Sequence, residues 1–289
     1  MDTALAIDIG GTKMAVARVD ADGRLTDRSA APTPGLASAD FMWEVLVDLV
    51  DDARRDDELV VGVGCGGPMT PGGELVSPLN IPAWRDFPLK ARLAELTGLG
   101  VHVDNDAKAL ARGEGWVGAA RGERDFIAMV VSTGVGGGLV VDGRLLDGAT
   151  GNAGHIGHVI VEPEGRVCAC GARGCLEAQA SGPSILAATG VTPAEAPEDV
   201  RRWIGTLVGR AVASVVNLLD LRLAVVAGSV ALGFGETFFA AAQAELEARS
   251  QIEYTRGARI VPAGLGDEGP LIGAAAVGWH GLGRDVGVA

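Results

Sequence analysis

Two stretches of the chain open in the same way. "ALAIDIGGTKMAVARVDADGRL" (4–25) takes an apolar strand into a glycine turn and then through an alternating segment around D-G, and "FIAMVVSTGVGGGLVVDGRLLDG" (126–148) repeats the plan with "STGVGGG" in place of "DIGGTK". Asp-Gly between alternating apolar residues is a strong short-range hairpin signal. A repeat on this scale predicts two similar α/β halves, and halves that face one another leave a cleft for a ligand. The first half reads β-β-α-β-α-β, with helices over 40–55 and 88–98, the second stopped by Gly98. Strands are expected in "ELVVGVGCGGP" (58–68) and "GLGVHVDND" (98–106). The second half continues with helices over 181–189, 198–219, 235–249 and 269–281, and with buried strands in "RLAVVAGSV" (222–230) and "ARIVPAGLG" (258–266). The expected lobes are 1–107, joined by 270–289, and 108–269.

Several function classes drop out on composition. A net charge of −13 opposes binding to nucleic acid or an anionic membrane surface. No run approaches the roughly 18 apolar residues of a membrane span, and "MDTALAIDIGG" lacks the basic start of a signal peptide, so a cytoplasmic protein is expected. Two of the four histidines and three of the four cysteines fall within 153–175. In a reducing compartment such a cluster reads as metal binding rather than as disulfides.

The glycine turns carry the first chemical signal. Gly10 and Gly11 let backbone approach a phosphate, Thr12 and Lys13 offer a hydroxyl and a cation, and Asp8 can hold water around Mg²⁺. A tight hairpin with incidental polar residues is the bland alternative. The second loop, 132–138, strengthens the phosphate reading, because two glycine turns can grip one polyphosphate chain. "VDNDAKAL" (103–110) sets Asp104, Asn105 and Asp106 at a strand end before a helix. Asn and Asp there suit an N-cap, but beside the glycine loops Asp106 reads as a general base with Asn105 fixing the acceptor.

With "DIGGTK", "NDA" (105–107), "STGVGGG", "GNAGHIGH" (151–158), "CACGARGCLE" (168–177) and "VVAGS" (225–229), the chain resembles the ROK family of bacterial sugar kinases and repressors, within the actin-like ATPase superfamily, over essentially its whole length. The resemblance implies a two-lobed RNase H-like fold with ATP, Mg²⁺ and a hexose meeting in the cleft. It implies that His158, Cys168, Cys170 and Cys175 hold a structural Zn²⁺, a closed four-ligand set with no open position. It also implies sugar contacts from Gly67, Asn80, Asn105, Asp106, His155, Glu177 and the second edge of His158. The nucleotide falls to Asp8, Gly10, Gly11, Thr12, Lys13, Thr133, Gly134, Gly136, Gly228 and Ser229, and homodimers are common in such proteins.

One position departs from the usual family motif, E-x-G-H, which here reads H-x-G-H. Members acting on N-acetylmannosamine are similar to this chain in "AGHIGH" and in the opening "LAIDIGGTK". An imidazole can both donate and accept where a carboxylate only accepts, which suits a 2-acetamido sugar. The expectation is therefore ATP-dependent phosphorylation of the 6-hydroxyl of N-acetylmannosamine, with glucose as the rival substrate and a non-catalytic sugar sensor as the rival class. An extended backbone at 155–158 would turn His155 away from His158.

Overall fold

The computed structural model describes residues 2–35 and 37–289. They form two compact units: residues 2–122 (less 36), 145–153 and 264–289 make the first, and residues 123–144 and 154–263 the second. The division expected at 107/108 thus moves to 122/123, because the helix that begins at Asp106 packs on elements of the first unit.

The first unit is built on β1 (Thr3–Ile9), β2 (Lys13–Asp20), β3 (Leu25–Pro32), β4 (Glu58–Cys65) and β5 (Val101–Asn105), in the sheet order β3-β2-β1-β4-β5. β1 and β2 pair antiparallel, as do β2 and β3, while β4 and β5 add on parallel. Its helices are α1 (Ala39–Ala53), α2 (Leu89–Thr97), α3 (Asp106–Val117) and α8 (Gly269–Gly281). β3 is the second arm of the hairpin expected around Asp22 and Gly23, an arm that the β-β-α-β-α-β string leaves uncounted. It lies at the sheet edge with mostly exposed, polar residues, so its sequence carries no apolar alternation to announce it.

β1 decides the two faces of this sheet by side-chain size. Leu5, Ile7 and Ile9 enter one core with Met42 and Leu46 of α1 and Leu89 and Leu93 of α2. Ala4 and Ala6 enter the other, against Leu271, Ala274, Ala275 and Trp279 of α8. The small residues let the helix come close. A Cβ on Gly62 would stand 2.0 Å from the Ala274 carbonyl oxygen and 2.7 Å from the Gly278 nitrogen, so β4 and α8 meet backbone to backbone. By the twofold alternation of a strand, Asp8 continues the Ala4 and Ala6 face.

The second unit repeats the plan with β6 (Phe126–Val131), β7 (Val135–Val141), β8 (Arg144–Leu145), β9 (Leu223–Ala227) and β10 (Arg259–Pro262), ordered β8-β7-β6-β9-β10. The antiparallel β6–β7 pair and the parallel β9 and β10 match the first sheet strand for strand. The expected repeat is therefore present in the topology, as in the α/β actin-like fold. Between β8 and β9 come α4 (Leu176–Ala180), α5 (Gly182–Thr189) and α6 (Glu198–Leu219), and α7 (Ser229–Arg249) lies between β9 and β10. α7 starts six residues before the expected 235, with Gly235 (φ 59°) marking a kink between its two parts. No described helix is long and apolar enough to cross a membrane.

Candidate active site

Strand register brings the acidic residues of the first unit together. Asp8 pairs with Gly64 across β1 and β4, Gly64 pairs with Asp104 across β4 and β5, and Asn105 and Asp106 follow directly as the cap and first residue of α3. A Cβ on Gly64 would sit 3.6 Å from Asp106 Cα and 3.8 Å from Asp8 Oδ1, so the Asp8 carboxylate and the backbone that bears Asp106 meet at a residue that takes up no side-chain room. Crowding by protein atoms pushes the Asp8 carboxyl up to about 7, the Asp106 charge adds to this, and Lys13 and Arg28 oppose it.

The three polar residues at this turn have different duties. Asp104 takes an ion pair from the buried Lys108 ammonium at 3.0 Å and accepts the Asn105 amide at 2.8 Å. Asn105 caps α3, its Oδ1 accepting from the Ala107 amide at 3.0 Å, and that amide also reaches Asp106 Oδ1 at 2.8 Å. Capping is thus real, and it employs Asn105 by its oxygen alone. Lys108 further binds Asp147 at 2.6 Å, which commits it to structure.

The first glycine turn is closed by the Gly10 amide donating to the Lys13 carbonyl at 3.0 Å. Thr33 holds it from behind: its hydroxyl donates to the Gly10 carbonyl at 2.7 Å and its amide to the Thr12 carbonyl at 3.0 Å. Thr12 and Lys13 are exposed. Gly11 faces Asn80, whose Cβ would be 2.6 Å from a Cβ on the glycine, so the turn and the Asn80 loop touch. That loop is tied to Gly67 by the Leu79 amide, 3.0 Å from the Gly67 carbonyl.

In the second unit, the turn after β6 and the turn after β9 lie side by side, because Val130 pairs with Ala227. Thr133 and Gly134 form the first turn and Gly136 enters β7 opposite Val130. Gly228 (φ 100°) forms the second, and a Cβ on it would lie 2.3 Å from the Val131 carbonyl oxygen, which excludes any larger residue. Ser229 opens α7, and its hydroxyl meets that of Ser132 at 2.9 Å. Glu177, in α4, accepts the Val135 amide at 2.8 Å.

His158, Cys168, Cys170 and Cys175 offer one ligand atom each, all within 4.8 Å of one another. His158 Nδ1 lies 3.7 Å from Cys168 Sγ, and Cys170 Sγ lies 3.8 Å from Cys175 Sγ. Tetrahedral zinc with bonds of about 2.3 Å to sulfur puts neighbouring sulfurs about 3.8 Å apart, so the residues fit that ion. The edge of His158 turned to the cluster is Nδ1, which leaves Nε2 as its second edge. The segment before it is not extended as expected. His155 caps a single 3₁₀ turn, Ile156–His158, in which residues three apart eclipse, and the two imidazole rings lie 6.0 Å apart. His155 is exposed and stands outside the four-residue cluster.

The profile of the ROK family matches residues 4–279. The chain belongs to the ROK family. The N-acetylmannosamine kinase of Citrobacter koseri is 40% identical over 247 residues, spanning 80% of this chain and 84% of that protein. The protein of the same name from Salmonella arizonae is 38% identical over 249 residues, with 81% and 85% covered. Among solved structures, a ROK family glucokinase from Streptomyces griseus in complex with glucose and AMPPNP is similar with a TM-score of 0.85 and 30% identity, over 96% of this chain and 99% of that one. The ROK hexokinase of Thermus thermophilus gives 0.78 and 32%, over 97% and 99%.

In this ROK protein, sequence reasoning missed the residues that support the loops. Thr33 and Gly64 carry no motif, and their parts appear only when β3 pairs with β2 and β4 with β1. Ser132 lies within "STGVGGG", and only its bond to Ser229 shows its part. Arg166, which donates to two carbonyls of α4, has only its place between His158 and Cys168 as a signal.

Proposed function

We propose that this ROK protein transfers the γ-phosphoryl group of ATP to the 6-hydroxyl of a hexose, with N-acetylmannosamine as the substrate. The meeting of Asp8 with the backbone that bears Asp106 at Gly64 carries the reading, because phosphoryl transfer needs one carboxylate for the attacking hydroxyl and another on the phosphate side. Asp106 accepts the hydroxyl proton. Asn105 offers its amide nitrogen to the sugar, and Gly67, Asn80, His155, Glu177 and His158 Nε2 make the remaining sugar contacts. Asp8, Gly10, Gly11, Thr12 and Lys13 face the phosphates, while Thr133, Gly134, Gly136, Gly228 and Ser229 hold the rest of the nucleotide. Mg²⁺ carried in with ATP supplies charge neutralisation on the phosphates. Zn²⁺ held by His158, Cys168, Cys170 and Cys175 stiffens the loop that leads to Glu177. Two copies of the chain form a dimer in the cytoplasm, as family analogy suggests.

Glucose is the second reading, favoured by the likeness to the Streptomyces griseus glucokinase. ADP release measured over glucose, mannose, N-acetylglucosamine and N-acetylmannosamine, with ATP and then polyphosphate as donor, separates the two. N-acetylmannosamine should give the highest kcat/KM. His155→Glu should then move the ratio of N-acetylmannosamine to glucose turnover about 10-fold to 100-fold toward glucose, as expected for one polar contact that the bound sugar would bury. Wild-type protein that prefers glucose sinks the N-acetylmannosamine assignment.

A further inference from the structure

Glu177 stands on α4, a helix of five residues, far too short to be stable by itself. The Val135 amide donates to the Glu177 carboxylate at 2.8 Å, and the helix that carries it is set by what grips the two ends. At the first end, the Leu176 amide donates to the Val159 carbonyl at 2.9 Å. At the other, Arg166 reaches across: Nε donates to the Ala178 carbonyl at 2.8 Å and Nη2 to the Gln179 carbonyl at 3.0 Å. These belong to the last turn of the helix, where carbonyls lack an intrahelical amide and where a cation also suits the negative end of the helix dipole. The planar fork of a guanidinium can serve two adjacent carbonyls at once.

Arg166 is itself fixed from the cysteine loop. The Gly174 amide donates to the Arg166 carbonyl at 2.9 Å, one residue before Cys175, and a Cβ on Gly174 would overlap the Glu162 carbonyl oxygen at 1.8 Å. The loop and the helix end are thus joined through one side chain that is no member of the His158, Cys168, Cys170 and Cys175 cluster. We propose that Arg166 is a positioning residue for the sugar, holding the Glu177 carboxylate in place by clamping the end of α4. The proposal rests on the reading of Glu177 as a sugar contact.

The test is a double-mutant cycle on the zinc-loaded protein with Arg166→Met, Glu177→Gln and both together, and with Arg166→Lys as a variant that keeps the charge and part of the bonding. Sugar affinity is read by calorimetry and as KM, ATP affinity as KM, and metal content by elemental analysis. Arg166→Met should weaken sugar binding about 10-fold to 100-fold, the scale of a misplaced contact group, while ATP KM and zinc content stay as in wild type. Arg166→Lys should fall between the two, and it carries the test if Arg166→Met does not fold. In the Glu177→Gln background, Arg166→Met should add less than about twofold, because both changes remove the same contact. Wild-type sugar affinity in Arg166→Met beside a weakened Glu177→Gln overturns the proposal alone. So does an additive loss in the double variant, or loss of zinc from both arginine variants. Wild-type sugar affinity in Glu177→Gln overturns the role of Glu177 itself, and the proposal with it.

Discussion

Asp104 and Asp106 are two residues apart on the same turn, and their surroundings divide the work between them. Asp104 is neutralised by Lys108 and holds a backbone amide, so its charge is spent on structure. Asp106 stands beside Gly64, where its charge acts on Asp8. Asp106→Asn should keep sugar and nucleotide binding while kcat falls about 100-fold or more, the scale of general-base catalysis, whereas Asp104→Asn should first lower Tm. Near-normal turnover in Asp106→Asn would move the base elsewhere. Asp8 adds a stability effect with a definite sign. Its carboxyl titrates at about 7 in the folded protein against an ordinary 3.8, so between these values the folded chain keeps a proton that the unfolded chain has released. Its contribution is therefore present below about pH 4 and is lost as the pH rises through 7. Denaturation of nucleotide-free protein should show Asp8→Asn more stable than wild type at pH 8 and the advantage shrinking toward pH 5. An advantage that is equal at both pH values would mean that the carboxyl is not held protonated.

At the scale of elements, the legible parts were those whose signal is local. "DIGGTK" announced a turn because glycines beside an acid and a lysine need only their neighbours, and α2 ended at Gly98 because that residue takes φ 70°. The histidine and cysteine spacing announced the cluster of four side chains in the same way. β3 was announced only by its Asp22-Gly23 turn, because an exposed edge has no core to pattern against, and the turn at His155 read as extended because three residues carry no period. Thr33 could not be found at all without the pairing of β2 and β3, which sets Lys13 opposite Pro32 and so delivers Thr33 to the Gly10 turn. The cysteine loop has little regular structure of its own to fall back on. Cys170→Ser should bring zinc below about one per chain and lower Tm, since a four-ligand site contributes folding energy directly. Metal-free protein with unchanged Tm would contradict this.

The whole molecule is two copies of one sheet plan in a single chain, and in the first unit the copy is completed by a helix drawn from the far end. α8 is apolar on nearly every face and is buried from Leu271 to Trp279, against strands more than two hundred positions earlier. The fit leaves no slack at Gly62. Gly62→Ala should cost about 3 kcal/mol or more, read as a fall in Tm, because neither backbone can retreat from a methyl group placed between them. Gly100→Ala, where an added Cβ meets nothing within 4 Å, is the control and should leave Tm nearly unchanged. A Gly62→Ala variant as stable as that control would mean that the helix is free to shift.

The late origin of α8 also sets an order on synthesis. As the chain leaves the ribosome, residues 2–122 emerge first, yet one face of their sheet, with Ala4, Ala6, Ala15, Ala17 and Val60, stays without its cover until 264–289 follow. The second unit, made from 123–144 and 154–263, has all its residues before then. The half that begins first is therefore the half that finishes last, and for the time it takes to translate about 150 residues its alanine face is the part of the nascent protein most in need of a chaperone.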